Sequence, residues 1–174
     1  MSRKLPKSFY LRDVLKVAPA LLGKKLVIAG ETGIRKYIIT ETEAYQGAFD
    51  LACHASKGKT ARTEVMFREG GILYVYLIYG MYWMMNIVTS VENDPQAVLI
   101  RGLDKVKGPG RLTRQLELDR SFNGESLVDS SRIWLEEGTE PSKILTSPRI
   151  GIDYAGEPWV SKHWRFYLPD EELF

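Results

Sequence analysis

The sequence predicts an α+β fold: a single domain built on an antiparallel sheet. Three observations carry the prediction. Residues 24–29 and 34–45 read as strands joined by a turn through Gly30 and Gly33. A charge-free run over residues 70–91 divides into two β-rich halves, 72–78 and 82–88, around Tyr79-Gly80-Met81. Helical spacing of apolar residues is confined to short stretches, 11–22 and 110–118.

Taken in order, residues 11–22 form helix with Gly23 as the stop, and Pro19 is expected to break the stretch into two short helices. The two strands follow. The run 70–91 is long enough to span a bilayer, but it holds four tyrosines, a tryptophan, an asparagine and three glycines. A β-hairpin suits that composition better. Residues 97–101 are a short strand, and a helix opens behind Gly108-Pro109. Residues 121–124 and 138–142 read as loops, and 164–168 as a final strand. There is no internal repeat, low-complexity tract or linker.

A chain of 174 residues suits one domain with a real core. The single cysteine, Cys53, excludes an internal disulfide and a multi-cysteine metal centre. It favours a reducing, cytoplasmic compartment. The first six residues are polar and basic with no apolar stretch behind them, so no signal peptide is expected. Net charge is only +2, yet residues 1–116 hold 18 Lys and Arg against 10 Asp and Glu, and the remainder holds 6 against 12. A basic surface on the first part would attract a polyanion; clustered solvated charges would give the same count.

The stretch Glu41-Thr42-Glu43-Ala44-Tyr45 is the most informative local feature. On a strand, Glu41, Glu43 and Tyr45 share a face. Two carboxylates beside an aromatic ring suit acid–base work on a glycosidic bond; a solvated face with two glutamates is the plain alternative. His54 neighbours Cys53, but adjacent residues on an extended chain point apart, which argues against a nucleophilic dyad. No ligand cluster implies a metal, and no nucleotide-binding loop implies a cofactor. The hairpin carries Tyr74, Tyr76, Tyr79 and Tyr82, with Tyr79 at the tip, where an aromatic ring can wedge between bases. Arg101 ends an apolar strand, where its charge needs solvent or a carboxylate partner.

Together these motifs resemble the alkyladenine (3-methyladenine, or methylpurine) DNA glycosylase family. The resemblance runs from about Leu11 to Tyr167. It rests on Leu21-Leu22-Gly23-Lys24, Glu41-Thr42-Glu43-Ala44-Tyr45, His54, Met66-Phe67, the stretch from Leu73 to Tyr82, and Met85-Asn86. Val98-Leu99-Ile100-Arg101, Gly108-Pro109-Gly110-Arg111-Leu112, Arg149-Ile150-Gly151 and Arg165-Phe166-Tyr167 complete it.

The resemblance implies a curved sheet flanked by helices, with a protruding hairpin. It implies a monofunctional, cofactor-free and metal-free hydrolase, acting as a monomer on duplex DNA that contains damaged purines, away from membranes. Glu43 would activate a water held also by Arg101 and the Ile150 carbonyl. Tyr45, His54 and Tyr76 would sandwich the flipped base, and Asn86 would crowd the 2-amino group of guanine. Tyr79 would fill the gap in the duplex, with Met81, Arg62 and Arg111 also on DNA. Two departures stand out. Ala61 and Thr63 replace the usual Pro and Asn, with little consequence expected, and residues 168–174 replace the family's usual ending. The resemblance therefore does not extend to the last edge of the active-site wall, though it covers all the residues named above. A non-catalytic nucleic-acid-binding module and a hydrolase of small nucleosides or glycans are the competing readings. The first leaves Glu43 without a role; the second needs neither a basic surface nor an exposed Tyr79.

Overall fold

A computed structural model describes residues 2–173. Helices α1 (Lys7–Tyr10) and α2 (Val14–Ala20) precede strands β1 (Lys25–Gly30) and β2 (Gly33–Tyr45). The hairpin β3 (Leu73–Ile78) and β4 (Tyr82–Thr89) follows, then β5 (Gln96–Leu103), β6 (Val106–Lys107) and helix α3 (Pro109–Gln115). Short strands β7 (Ile133–Glu136), β8 (Leu145–Ser147) and β9 (Arg165–Tyr167) complete the order. Every pairing is antiparallel, and the main path of the curved sheet runs β3-β4-β5-β2-β1-β7. The fold is therefore α+β, and residues 70–91 are a hairpin.

Two short helices are present, but Pro19 does not separate them. The break falls at residues 11–13, where the Asp13 carboxylate accepts the Leu15 N–H at 2.8 Å and starts α2. Pro19 sits in the last turn of α2, and the chain leaves the helix at Gly23, whose φ of 85° is open to glycine. The strands β7 and β8 and the two-residue β6 are absent from the sequence reading.

The thirteen residues of β2 hold the sheet together. Their first half pairs with β1, while the second lies between β5 and β9. Between the halves the register with β5 slips twice. Thr40 is extra on β2, then Arg101 is extra on β5. The slips change which face of β2 meets the core. Before them, odd-numbered Tyr37 and Ile39 are in the core; after them, even-numbered Thr42 and Ala44 are buried there. Thr42 donates its hydroxyl to the Ala18 carbonyl of α2 at 2.9 Å. Glu41, Glu43 and Tyr45 are thereby turned to the opposite face. Without the bulge, Glu43 would continue the core side of Ile39.

Candidate active site

Glu43 is fully buried. Its Oε1 accepts the Tyr45 hydroxyl at 2.9 Å, and its Oε2 accepts the Ile150 N–H at 2.7 Å. Arg101 Nε stands 3.8 Å from Oε2. Burial pushes the Glu43 carboxyl above the usual carboxylate range; Arg101, the Ile150 amide, Tyr45 and Arg149 each pull it back in part. A carboxylate whose pKa burial raises is a stronger base than one in water and suited to take a proton. Ile150 contributes through its amide, a contact the sequence reading did not foresee.

Arg101 is the extra residue of the β5 bulge. Its Nε donates to Glu41 Oε1 at 3.1 Å, and Arg165 Nε of β9 donates to the same oxygen at 2.7 Å. The partner that the charge at the end of an apolar strand requires is thus Glu41 first, with Glu43 behind it.

The segment that carries Ile150 is pinned by a buried ion pair. Arg149 Nη1 and Nη2 meet the Asp50 carboxylate at 2.5 and 2.9 Å, and Nη1 also donates to the Ala44 carbonyl at 3.0 Å. Asp50 accepts the Gln46 and Ala52 N–H groups as well. The Arg149 guanidinium lies 4.8 Å from the Tyr45 ring centre and 5.0 Å from that of Trp164. Asp50 escaped the sequence reading and Arg149 appeared in it only as part of a motif. The two lie 99 positions apart and nothing local marks them as partners.

Tyr45, Arg101 and Ile150, the neighbours of Glu43, line a cleft of about 630 Å³ together with His54, Tyr76 and Tyr154 among others. A smaller hollow between the aromatic walls is floored in part by Asn86, whose amide donates to the Tyr74 carbonyl at 3.2 Å. His54 and Tyr76 have ring centres 4.6 Å apart, and His54 Nδ1 shares a hydrogen bond with the Tyr74 hydroxyl at 3.1 Å. Tyr154, unflagged by its surroundings in sequence, donates its hydroxyl to the Ala52 carbonyl at 2.9 Å and lines both spaces. A groove of comparable size, about 680 Å³, lies beside α1 and α2 near Phe9 and Arg12, and the Lys24–Glu137 ion pair at 2.8 Å lies on its wall.

Burial, with Arg62 and Lys57 nearby, lowers the His54 pKa to about 4. The ring is neutral at neutral pH and does not repel a cation stacked on it. In a two-histidine chain this is readily measured. The His54 ring NMR shifts are expected to stay constant from pH 8 down to about 5.5; a midpoint near 6.5 would remove the buried neutral ring. The depressed pKa also means that stability is lost as pH falls from the unfolded value of about 6.5 toward the folded one.

Tyr79 is 84% exposed and Met81 61%. Tyr79 and Gly80 have φ of 54° and 66°, and Met81 N–H closes the turn on the Ile78 carbonyl at 3.1 Å. Left-handed backbone at both central positions is the habit of primed hairpin turns. Arg62 stands 5.2 Å from the Tyr76 ring centre at the cleft edge, and Arg111 is exposed on the first turn of α3. Beside it, a Cβ on Gly110 would meet the Tyr82 ring at 2.8 Å, which fixes α3 against the hairpin.

Of the departures, Thr63 is buried and ties its loop, donating to the Gly58 carbonyl at 2.9 Å. The ending turns away from the cleft: Leu168 is buried, its N–H on the Thr40 carbonyl, and Glu172 meets Ser142. Phe174 lies outside the described residues.

Fold and site define a class of protein: a curved antiparallel sheet with a buried carboxylate, Glu43, set against the residues that line an aromatic cleft. The family model for methylpurine-DNA glycosylase (MPG) matches residues 8–107 and 104–172. The chain belongs to that family. It is similar to a protein of Legionella pneumophila (strain Corby), 46% identical over 179 residues that cover 97% of this chain and 96% of the relative. A Methanocella arvoryzae protein is 44% identical, covering 94% and 91%, and a Borreliella burgdorferi (strain ZS7) protein 42% identical, covering 95% and 96%. All three carry the provisional name 3-methyladenine DNA glycosylase.

Proposed function

We propose that the chain is a monofunctional DNA glycosylase of base excision repair, hydrolysing the N-glycosidic bond of flipped-out alkylated or deaminated purines. The observation that carries this reading is the buried Glu43, bonded to Tyr45 and Ile150 and 3.8 Å from Arg101, three residues that line the aromatic cleft. Glu43 takes a proton from a water that Arg101 and the Ile150 carbonyl help to hold. The hydroxide so formed attacks the sugar carbon as the purine leaves. Purines methylated at N3 or N7 are cationic and leave readily, so one carboxylate both stabilises the oxocarbenium-like sugar and supplies the nucleophile.

Tyr45, neutral His54 and Tyr76 stack on the base, and electron-rich rings favour a cationic one. Asn86 disfavours the 2-amino group of guanine. Tyr79 enters the gap left by the flipped nucleotide, with Met81, Arg62 and Arg111 on the flanking DNA. Flipping costs about a few kcal/mol, and stacking of about 1–3 kcal/mol per base offsets it. The protein acts as a monomer in the cytoplasm.

The test is base release from duplexes carrying 3-methyladenine, 7-methylguanine, hypoxanthine or ethenoadenine. Release of a damaged purine with an intact strand that breaks only on alkali treatment is the expected result. Tight binding without release would leave a binding module, and borohydride trapping of enzyme on DNA would make it a lyase.

A further inference from the structure

We propose that Glu41 is a positioning residue that, with Arg165, holds the Arg101 guanidinium at the β5 bulge, close to Glu43 but not closed upon it. The inference deepens the reading of Glu43 as the general base and rests on that reading for its catalytic meaning.

The geometry is specific. One oxygen of Glu41 takes two charged donors, Arg101 Nε at 3.1 Å from β5 and Arg165 Nε at 2.7 Å from β9. Arg165 is itself fixed by Nη1 on the Ser147 hydroxyl at 2.8 Å. The same Arg101 Nε is 3.8 Å from Glu43 Oε2, beyond hydrogen-bond distance. Glu41 therefore outcompetes Glu43 for the directed bond. Its place is set by backbone: a Cβ on Gly102 would stand 2.9 Å from Thr40 Oγ1 and 3.1 Å from Glu41 Cβ, so only glycine lets β5 approach here. Arg101 is aimed by being the extra residue of the bulge.

The consequence is chemical. A direct Arg101–Glu43 salt bridge would hold Glu43 as a weak base. A guanidinium retained at the side leaves a basic carboxylate and still offers positive charge to a water. The other charged or titratable groups facing Glu43 are Tyr45 on β2, Arg149 ahead of Ile150, and the tyrosines Tyr76 and Tyr154 of the cleft. None of these bonds to Arg101.

Two variants of the full chain test the idea, with the Glu43 side-chain carboxyl titrated by carbon-13 NMR in the free protein. Glu41→Gln removes the charge. Glu41→Asp keeps the charge but withdraws it by one methylene, out of reach of Arg101. If Glu41 holds Arg101, both variants let the guanidinium close on Glu43 and its midpoint falls by about one pH unit. The acid limb of base release moves down with it, and the plateau rate drops. If Glu41 acts through its own charge alone, only Glu41→Gln lowers the midpoint; if it is merely structural, neither does. Either result overturns the proposal. Should Glu41→Gln not fold, Glu41→Asp alone decides between holding and charge. The titration reads the clamp even if no base is released, so failure of the clamp and failure of the glycosylase reading stay distinct.

Discussion

Glu43→Gln is expected to lower single-turnover base release from a 7-methylguanine duplex by at least about 10²–10⁴-fold, the usual contribution of a general base. Lesion binding should stay within a few-fold of wild type. Glutamine fills the same volume but cannot accept the water's proton. It also removes a negative charge from a site that faces a polyanion. The pH profile adds a second signature. In the proposed role Glu43 must be ionised, and burial raises its pKa, so the rate should rise with pH through a midpoint above the ordinary carboxylate range. That limb should vanish in Glu43→Gln. The linkage has the matching sign. A folded-state pKa above the unfolded one means that the stability Glu43 contributes is full below the unfolded value and lost as pH rises through the folded one. Near-normal release by Glu43→Gln would take the carboxylate out of the chemistry and leave Glu41 as the next candidate.

The second large effect concerns stability. Arg149→Met strands the Asp50 carboxylate, which is fully buried, and breaking such a pair on one side costs about 3–5 kcal/mol. For a chain of this size the Tm should drop on the order of 10 °C. Adding Asp50→Asn should restore part of it. The asparagine is neutral, and its single oxygen keeps one of the Gln46 and Ala52 N–H groups that the two carboxylate oxygens accept separately. Base release should not recover with stability, because the Ile150 amide has lost the neighbour that fixes it beside Glu43. Thermal melts and single-turnover rates on the single and double variants check both halves. A loss below about 1 kcal/mol for Arg149→Met would show that the pair does not hold this segment.

Much of the architecture is legible in the residues themselves. Turn glycines mark β1, β2 and the hairpin, and a short apolar run marks β5. The bulge is not legible. Both faces of β2 are buried around Thr40–Glu43, so hydrophobicity gives no sign that the phase changes. Alternation puts Glu41, Glu43 and Tyr45 on one face correctly, but cannot say that this face has left the side of Ile39. The Asp50–Arg149 pair is hidden for another reason: long-range ion pairs leave no local pattern. Pro19 misled because its restriction is local, while the end of a helix is set by its cap at Asp13 and its glycine at Gly23.

The left-handed backbone of Tyr79 bears on how such a protein would travel. That conformation costs about 1–2 kcal/mol in a residue with a Cβ, absorbed when the chain folds rather than at each encounter with DNA. The ring projects before any duplex arrives, from a turn closed by its own hydrogen bond. In the proposed role, each base step is probed without first ordering the probe, so the time spent per step is set by the DNA's own tendency to open. In that role a ring projecting from a preformed turn would also drag on sound, well-stacked sequence. Movement along undamaged duplex should therefore proceed by pauses and hops, with the longest pauses at mispaired or weakly stacked steps.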